Sequence, residues 1–559
     1  MTMTTSRRAA ASLEAGAGRA SRDGGRGAHE QPAVCDRAAA LASLEDRLGH
    51  AVEASGSDDE VVVAVSGAEL PRAVEAMTAL GATHVMFLGM DLRGLDPDGG
   101  LAVEEVLATP GGPLVRLRAP LSPERPSHPS LTGLVPAAAW DERESHDLFG
   151  IEPSGHPDLR PLVIHEPIEG LPHPLLRAPL ASCEPRPPRP FRAFVAHGEG
   201  VYELPVGPIH AGIIEPGHFR FSAVGESVLH LDARLFYTHR GIEKLVEGRT
   251  FEQALAIVER ACGVCTVTHA TAYSRAVERL TGTEAPPRAR AARVLLAEME
   301  RLYNHVGDLG NICAGVGFHF GTSRLGWQKE RLLRLNEGLT GHRYLTGMVA
   351  PGGLRLDLDG AAVTALASAV DGIDHDVRAI VRRLVRSDSF MGRLHGTGVV
   401  TAATARRLGA VGVAARASGL ATDLRVDRPT DAYAEIDVPV VTHATGDVAA
   451  RFHVRAQEAL VSSAIVRELA GRLPDGPIRV PPARVAEPGT STLAGAEGPR
   501  GASWLWLMAG RDGRVERLHL RSGSFADWPV VAAAVPGNLV PDFPLINKSF
   551  ELCYACTDR

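Results

Sequence analysis

No run of about 18 or more apolar residues occurs in the chain, so nothing in it reads as a membrane-spanning helix. A peripheral place on a membrane complex stays open. No basic stripe occurs either, and a net charge of −7 over 559 residues argues against nucleic acid as a partner. The opening stretch, "MTMTTSRRAAASLEAGAGRASRDGGRGAHEQPAV", lacks the apolar segment of a secretory signal. Its Ala, Gly, Arg and Ser content reads as a disordered tail over residues 1–36. Internal repeats are absent. Cysteine is scarce: seven residues are too few for a secreted disulfide framework and fit reduced thiols in a cytosolic setting.

What is present is the composition of a soluble globular protein, 45% hydrophobic and 22% charged, in a chain long enough for two or more domains. Residues 37–165 follow an α/β pattern. "EVVVAVS" (60–66) and "THVMFLGMD" (83–91) read as strands, and "PRAVEAMTALG" between them as a helix closed by Gly81. Prolines crowd residues 166–192, which read as a stiff linker and the domain boundary. From 193 to 559 the chain is mainly helical. Segment 291–309 puts Val294, Leu295, Met299, Leu302, Val306 and Leu309 on one stripe. Segment 363–385 does the same with Leu366, Val370, Ile373, Val377, Ile380 and Leu384. Short strands and glycine-rich turns return after about residue 425. The expected class is α+β, an N-terminal α/β domain followed by a mainly helical-bundle domain with short strands.

Chemistry is concentrated in the thiols. "ERACGVCTVTH" (259–269) holds Cys262 and Cys265, and the last residues, "CYACTDR", hold Cys553 and Cys556. If a helix begins at the first pair, both sulfurs share one face, and the helix N-terminus together with Arg260 favours thiolate. Cys35, Cys183 and Cys313 stand alone and read as structural or surface residues. Four thiolates from two segments make a soft-metal site. Spacing alone favours tetrahedral zinc, with iron–sulfur as the alternative, although zinc ribbons keep their pairs much closer in sequence than these.

The motifs around the pairs go further. Arg260, Cys262, Gly263, Cys265 and His269, with the C-terminal C-x-x-C-x-x-R, resemble the large subunit of nickel–iron hydrogenases. The nearer resemblance is to the membrane-associated, energy-converting group of formate hydrogenlyase and hydrogenase-4, kin to the 49-kDa subunit of respiratory complex I. "VGPIHAGIIEPGHFRF" (206–221), "YTHRGIEKLVEGR" (237–249) and "GAEGPRGA" (495–502) each resemble a further motif of that group, in the same order. "ERESHDLFGIEPSGHPDLRPL" (142–162) resembles the signature of the complex I 30-kDa subunit, fused ahead of the large subunit as in the formate hydrogenlyase type.

The resemblance implies that Cys262 and Cys553 are terminal nickel ligands while Cys265 and Cys556 bridge nickel and iron, the iron bearing cyanide and carbonyl ligands. It makes Arg500 the arginine over the metals and Glu215 the proton-relay carboxylate beside a terminal cysteine. Glu243 matches an acidic residue that ties down the C-terminal region, through a metal ion such as magnesium or through an ion pair. His210 stands where complex I relatives keep a quinone-pocket histidine. Physical chemistry alone makes Arg500 a surface arginine in a turn, Glu243 a helix charge and His210 a structural histidine. "ERESHDLFG" reads as an interface for docking a partner.

The family has Asp-Pro before its last CxxC; here Glu551 and Leu552 stand there, which frees the backbone entering the pair. The implied activity interconverts dihydrogen with protons and electrons, with electrons passing to a small subunit akin to the complex I 20-kDa subunit that carries the iron–sulfur cluster. Implied partners also include antiporter-like membrane subunits and nickel-insertion and maturation proteins, on the cytoplasmic face of the cell membrane. Two competitors remain: a complex I-like subunit of an NADH-quinone oxidoreductase, meeting quinone without nickel, and a zinc-holding scaffold. In many relatives a protease removes an extension after the last CxxC once nickel is in. Here Arg559 stands where that cut would leave the chain, so its end is expected to be a buried lid.

Overall fold

The computed structural model describes residues 34–95, 99–122, 124–166, 173–177, 192–210 and 214–559. Residues 1–33 of the expected tail, most of the proline-rich stretch 166–192 and Cys183 lie outside the described residues; the tail expected to run to residue 36 ends earlier, since Cys35 is buried and Asp36 caps the first helix.

Helix α1 (Arg37–Leu48) is capped by the Asp36 side chain on Ala39 N, and α2 (Leu70–Ala79) carries proline in its first turn, where a missing N–H costs nothing. They accompany five strands: β1 (Ala54–Gly56), β2 (Glu60–Ala64), β3 (Thr83–Asp91), β4 (Leu101–Ala108) and β5 (Leu114–Pro120). The sheet order is β1-β2-β5-β4-β3, with β2 and β5 parallel and the other neighbours antiparallel. Strands buried on both faces lose the alternation of a half-exposed sheet, which is why "THVMFLGMD" is almost continuously apolar. Phe87, Leu101, Val103 and Leu107 join the main core, whereas Met86, Leu88, Met90, Ala102 and Val106 pack with Trp504, Trp506 and Met508 from near the other end of the chain.

Helix α3 (Ala139–Phe149) departs from the usual amphipathic pattern: Asp141, Glu142, Arg143, Glu144, Ser145 and His146 are all buried. The segment expected to dock a partner is instead buried within the chain. Arg521 pairs with Asp141 at 2.9 Å and Arg559 with Glu144 at 2.8 Å.

The rest of the chain begins with an antiparallel sheet of β6 (Val201–Val206), β7 (His218–Val224) and β8 (Ser227–Arg234), then the short helix α4 (Ile242–Val246). Five long helices follow: α5 (Thr266–Thr281), α6 (Pro287–Gly315), α7 (His319–Thr340), α8 (Gly360–Val385) and α9 (Val448–Gly471). Helix α6 packs on α7 and α9, and α8 closes the bundle against the same two. The expected apolar stripes are the buried faces of α6 and α8. Helix α6 is buried nearly all round, so its charges are paired inside: Glu298 with Arg425 (3.1 Å), His305 with Glu458 (2.9 Å) and Asp308 with Arg455 (2.6 Å). Strands β9 (Ser491–Gly498), β10 (Gly501–Ala509) and β11 (Val515–Arg521) form a last antiparallel sheet. Helices α10 (Gly523–Ala534), α11 (Phe543–Phe550) and α12 (Tyr554–Asp558) end the chain. Helices and sheets in these proportions make an α+β fold, and among the described residues no helix is long and apolar enough to cross a membrane.

Candidate metal centre

The four thiols expected to converge do so. Sulfur atoms of Cys262, Cys265, Cys553 and Cys556 lie within 4.8 Å of one another, and Cys262 and Cys553 are 3.1 Å apart. Three of the residues are buried and Cys553 is partly so. The other described cysteines, Cys35 and Cys313, are buried away from this cluster, and burial pushes the Cys313 thiol up to about 12, which makes it inert.

The first pair differs from its expected geometry. Helix α5 starts at Thr266 with Cys265 as its cap residue, so Cys262 sits in the preceding turn and not on a helical face. The start is fixed from outside: the Glu300 carboxylate of α6 accepts Val267 N at 2.7 Å and Thr268 N at 3.0 Å, two of the orphan donors of the first turn. Tyr303 Oη and Asn304 Nδ2 donate to the Val264 carbonyl at 3.0 and 2.9 Å, pinning the loop between the cysteines. Arg260 also departs from expectation. Its guanidinium bonds the Ala256 carbonyl and the Glu259 carboxylate and is largely exposed. Val264 N donates to Cys262 Sγ at 3.4 Å, and bonding from the neighbouring thiols holds Cys262 well below its usual range. His269 Nε2 is 3.3 Å from Cys556 Sγ, and burial lowers the imidazole to about 4, so it is neutral at pH 7.

The second pair straddles the first turn of α12, with Cys553 as its cap residue. Ser524 Oγ accepts Cys553 N at 3.0 Å, and Glu215 Oε2 accepts Ala555 N at 3.0 Å. Burial raises the Glu215 carboxyl, with the Ala555 N–H opposing and the nearby Cys553 adding to the rise. The expected relay carboxylate is therefore part of the second pair's support. Asp558 accepts Phe236 N (2.8 Å), Thr238 N (2.9 Å) and Thr238 Oγ1 (2.7 Å). Arg240 reaches both pairs, donating to the carbonyls of Arg260 (3.1 Å), Ala261 (2.7 Å) and Ala555 (2.9 Å). Sequence reasoning picked Glu243 from "YTHRGIEK" and passed over Arg240 in the same motif.

Arg500 is in a turn, as its sequence suggests, but a buried one. It occupies the two-residue tip of the β9–β10 hairpin, where Gly498 pairs with Gly501. Gly501 has φ +114°, and a Cβ there would lie 2.7 Å from Gly412 N, so the hairpin depends on a backbone crossing that only glycine allows. Asp308 grips the guanidinium at 2.5 and 3.0 Å, and Asn304 accepts a third bond at 3.2 Å. Burial alone would raise Asp308, but Arg500 and Arg455 hold it well below the usual carboxylate range. Arg500 also feels the charges of Cys553 and Cys265, so it is the cation facing the sulfurs that Arg260 is not. A small cavity beside the sulfurs is lined by Cys265, Cys556, Thr268, Arg500, Ser522 and Ser524.

Glu243 lies under the C-terminal segment in ion pairs with Arg517 (2.7 Å), His519 (3.0 Å) and Arg559 (3.1 Å). Its burial would raise it, yet His519 and Arg517 keep it well below the usual range. His210 donates from Nε2 to the Gly217 carbonyl at 2.7 Å and rests against Phe219. Glu551 caps α11 at φ +53°, a left-handed conformation uncommon outside glycine, and Leu552 is buried where the family has proline.

Among the comparisons with known proteins, one family match covers the segment of the first thiol pair. Residues 240–309 match the family described as nickel-dependent hydrogenase, and residues 324–494 and 63–178 match the 49 Kd and 30 Kd subunits of respiratory-chain NADH dehydrogenase. The chain is 34% identical to formate hydrogenlyase subunit 5 of Escherichia coli (strain K12), over 90% of this chain and 89% of that protein. It is 33% identical to hydrogenase-4 component G of the same strain, over 93% of this chain and 92% of the relative. The carbon monoxide-induced hydrogenase of Rhodospirillum rubrum is 33% identical over 64% of this chain and 99% of that protein.

Proposed function

Because this chain belongs to the formate hydrogenlyase and hydrogenase-4 family of hydrogenase large subunits, and is thereby an oxidoreductase, we propose that it is the catalytic subunit of a membrane-associated nickel–iron hydrogenase. The observation that carries this reading is the convergence of four thiols from two distant segments in one buried cluster. The donor set fits: sulfur suits a soft, redox-active centre, and Arg500 offsets the charge that four thiolates accumulate. Cys262 and Cys553 would hold nickel, Cys265 and Cys556 would hold nickel and iron together, and the iron would carry cyanide and carbonyl ligands. The bound centre supplies the splitting and formation of dihydrogen.

The chain's own residues do the rest. Asp308 and Asn304 orient Arg500, whose guanidinium stays protonated and positions charge over the site. Glu215 has Oε2 committed to Ala555 N, so Oε1 holds and releases the proton, and its raised pKa brings that exchange nearer neutrality. Buried packing around the cluster excludes bulk water from the thiols. Electrons pass to an iron–sulfur small subunit, in a complex with antiporter-like membrane subunits on the cytoplasmic face of the membrane, after loading by nickel-insertion and maturation proteins.

The test is composition. Matured protein is expected to contain nickel and iron in about equal amounts, with infrared bands from cyanide and carbon monoxide. Zinc alone, without such bands after co-expression with maturation factors, overturns the reading. The complex I-like alternative, quinone met through His210 without nickel, draws on the 49 Kd match over residues 324–494, and the same measurement separates the two.

A further inference from the structure

The carboxylates of Glu144 and Glu243 lie with His519 close enough to share an ion, but a guanidinium already sits on them. Arg559 is 2% exposed; its Nη2 is 2.8 Å from Glu144 Oε1 and its Nη1 is 3.1 Å from Glu243 Oε1. Nη1 also donates to the Leu520 carbonyl at 2.6 Å, and the guanidinium lies over the ring of Phe525 at 4.9 Å. Its backbone is held as well, since Arg240 N donates to the Arg559 carbonyl at 2.7 Å. Glu243 comes from α4. Glu144 comes from α3, in the N-terminal region that docks its sheet on β9 and β10.

We infer that the N-terminal region is half of the lock on the segment bearing Cys553 and Cys556, with Glu144 as a positioning residue. The two carboxylates grip the two arms of the Arg559 guanidinium, so the second thiol pair closes fully only while α3 is docked. A buried arginine left with one carboxylate has lost much of what offsets its desolvation, and the segment it anchors opens more often. Of the metal ion or ion pair that the resemblance offers at Glu243, the guanidinium supplies the ion pair. This inference concerns the metal-free chain and stands or falls separately from the hydrogenase reading.

Hydrogen–deuterium exchange of the full-length, metal-free chain in EDTA, read by mass spectrometry, tests it. In Glu144→Gln the amides of residues 554–559 are expected to exchange at least about tenfold faster than in the parent, while β3 and β4 stay protected. Arg559→Gln should loosen the same segment and also raise exchange in α3, because coupling between two groups runs both ways. The double variant should be no looser than Arg559→Gln alone, which already removes the Glu144 pair. Unchanged exchange at 554–559 in Glu144→Gln, additive effects in the double variant, or no response of α3 to Arg559→Gln would overturn the lock. So would slower exchange in the parent on adding excess magnesium, since the cluster would then be a cation site. Should Glu144→Gln fail to fold, Arg559→Gln with α3 as the reporter decides the matter alone.

Discussion

The two thiol pairs have the same spacing and are held in opposite ways. Cys262 and Cys265 are fixed chiefly by one neighbouring helix, with Arg240 added at Arg260 and Ala261: Glu300, Tyr303 and Asn304, within two turns of α6, set the loop and the start of α5. Cys553 and Cys556 are held by side chains and backbone from remote segments, namely Glu215, Phe236, Thr238, Arg240, Ser524 and, through Arg559, Glu144 and Glu243. One pair belongs to a packed frame, and the other belongs to a strap fastened at many points. A frame exists as soon as its helices pack; a strap can be loosened one fastening at a time.

The largest expected effect lies where frame and strap meet. Arg500→Lys keeps the charge but loses the two-armed grip of Asp308, so hydrogen–deuterium exchange turnover should fall about a hundredfold or more with metal content unchanged. Glu215→Gln should do the same through loss of the titrating oxygen. Parental turnover in both would reduce these residues to structural ones. Next, Asp558→Ala strands three donors and should cost about 3 kcal/mol in the strap. Alkylation of the metal-free chain should then rise at Cys553 and Cys556 and stay low at Cys262 and Cys265; equal labelling of all four would erase the distinction between the pairs. Arg240→Ala, which frees carbonyls in both segments, should expose the two pairs alike at a cost of about 1–2 kcal/mol.

The smallest effect is a pH dependence of the frame. Burial pushes Glu300 up to about 7 from an ordinary 4.5, against the opposing bonds from Thr268 and Val267. The folded chain therefore binds this proton more tightly than the unfolded chain. That contribution is complete below 4.5 and is lost as pH rises through about 7, so stability falls across that window. Glu300→Gln should flatten this part of a melting-temperature profile, and an unaltered profile would assign the slope to other groups.

The thiols, Arg500 and Glu215 were legible because their motifs keep order and spacing along the chain. The strands of the first sheet and the stripes of α6 and α8 were legible because burial leaves a periodic mark. Glu144 and Asp141 were not: charges in a helix read as a solvated face, and only the partners Arg559 and Arg521, far along the chain, make their burial affordable. That Cys262 stays outside α5 was not legible, because Glu300, which fixes the helix start at Thr266, lies on another helix. Arg260 was given a role by adjacency in sequence that Arg500 fills by adjacency in space.

The cluster is also a matter of time. Cys262 and Cys553 stand 291 residues apart, and a ribosome adding roughly 5–20 residues per second takes roughly 15–60 s to cover that distance. During that interval the first pair exists as an unpartnered CxxC, open to oxidation into a disulfide or to capture of whatever soft metal is free. Its right partners arrive last. A nascent chain of this design needs a reducing compartment, or a companion that occupies the early thiols until the late ones emerge.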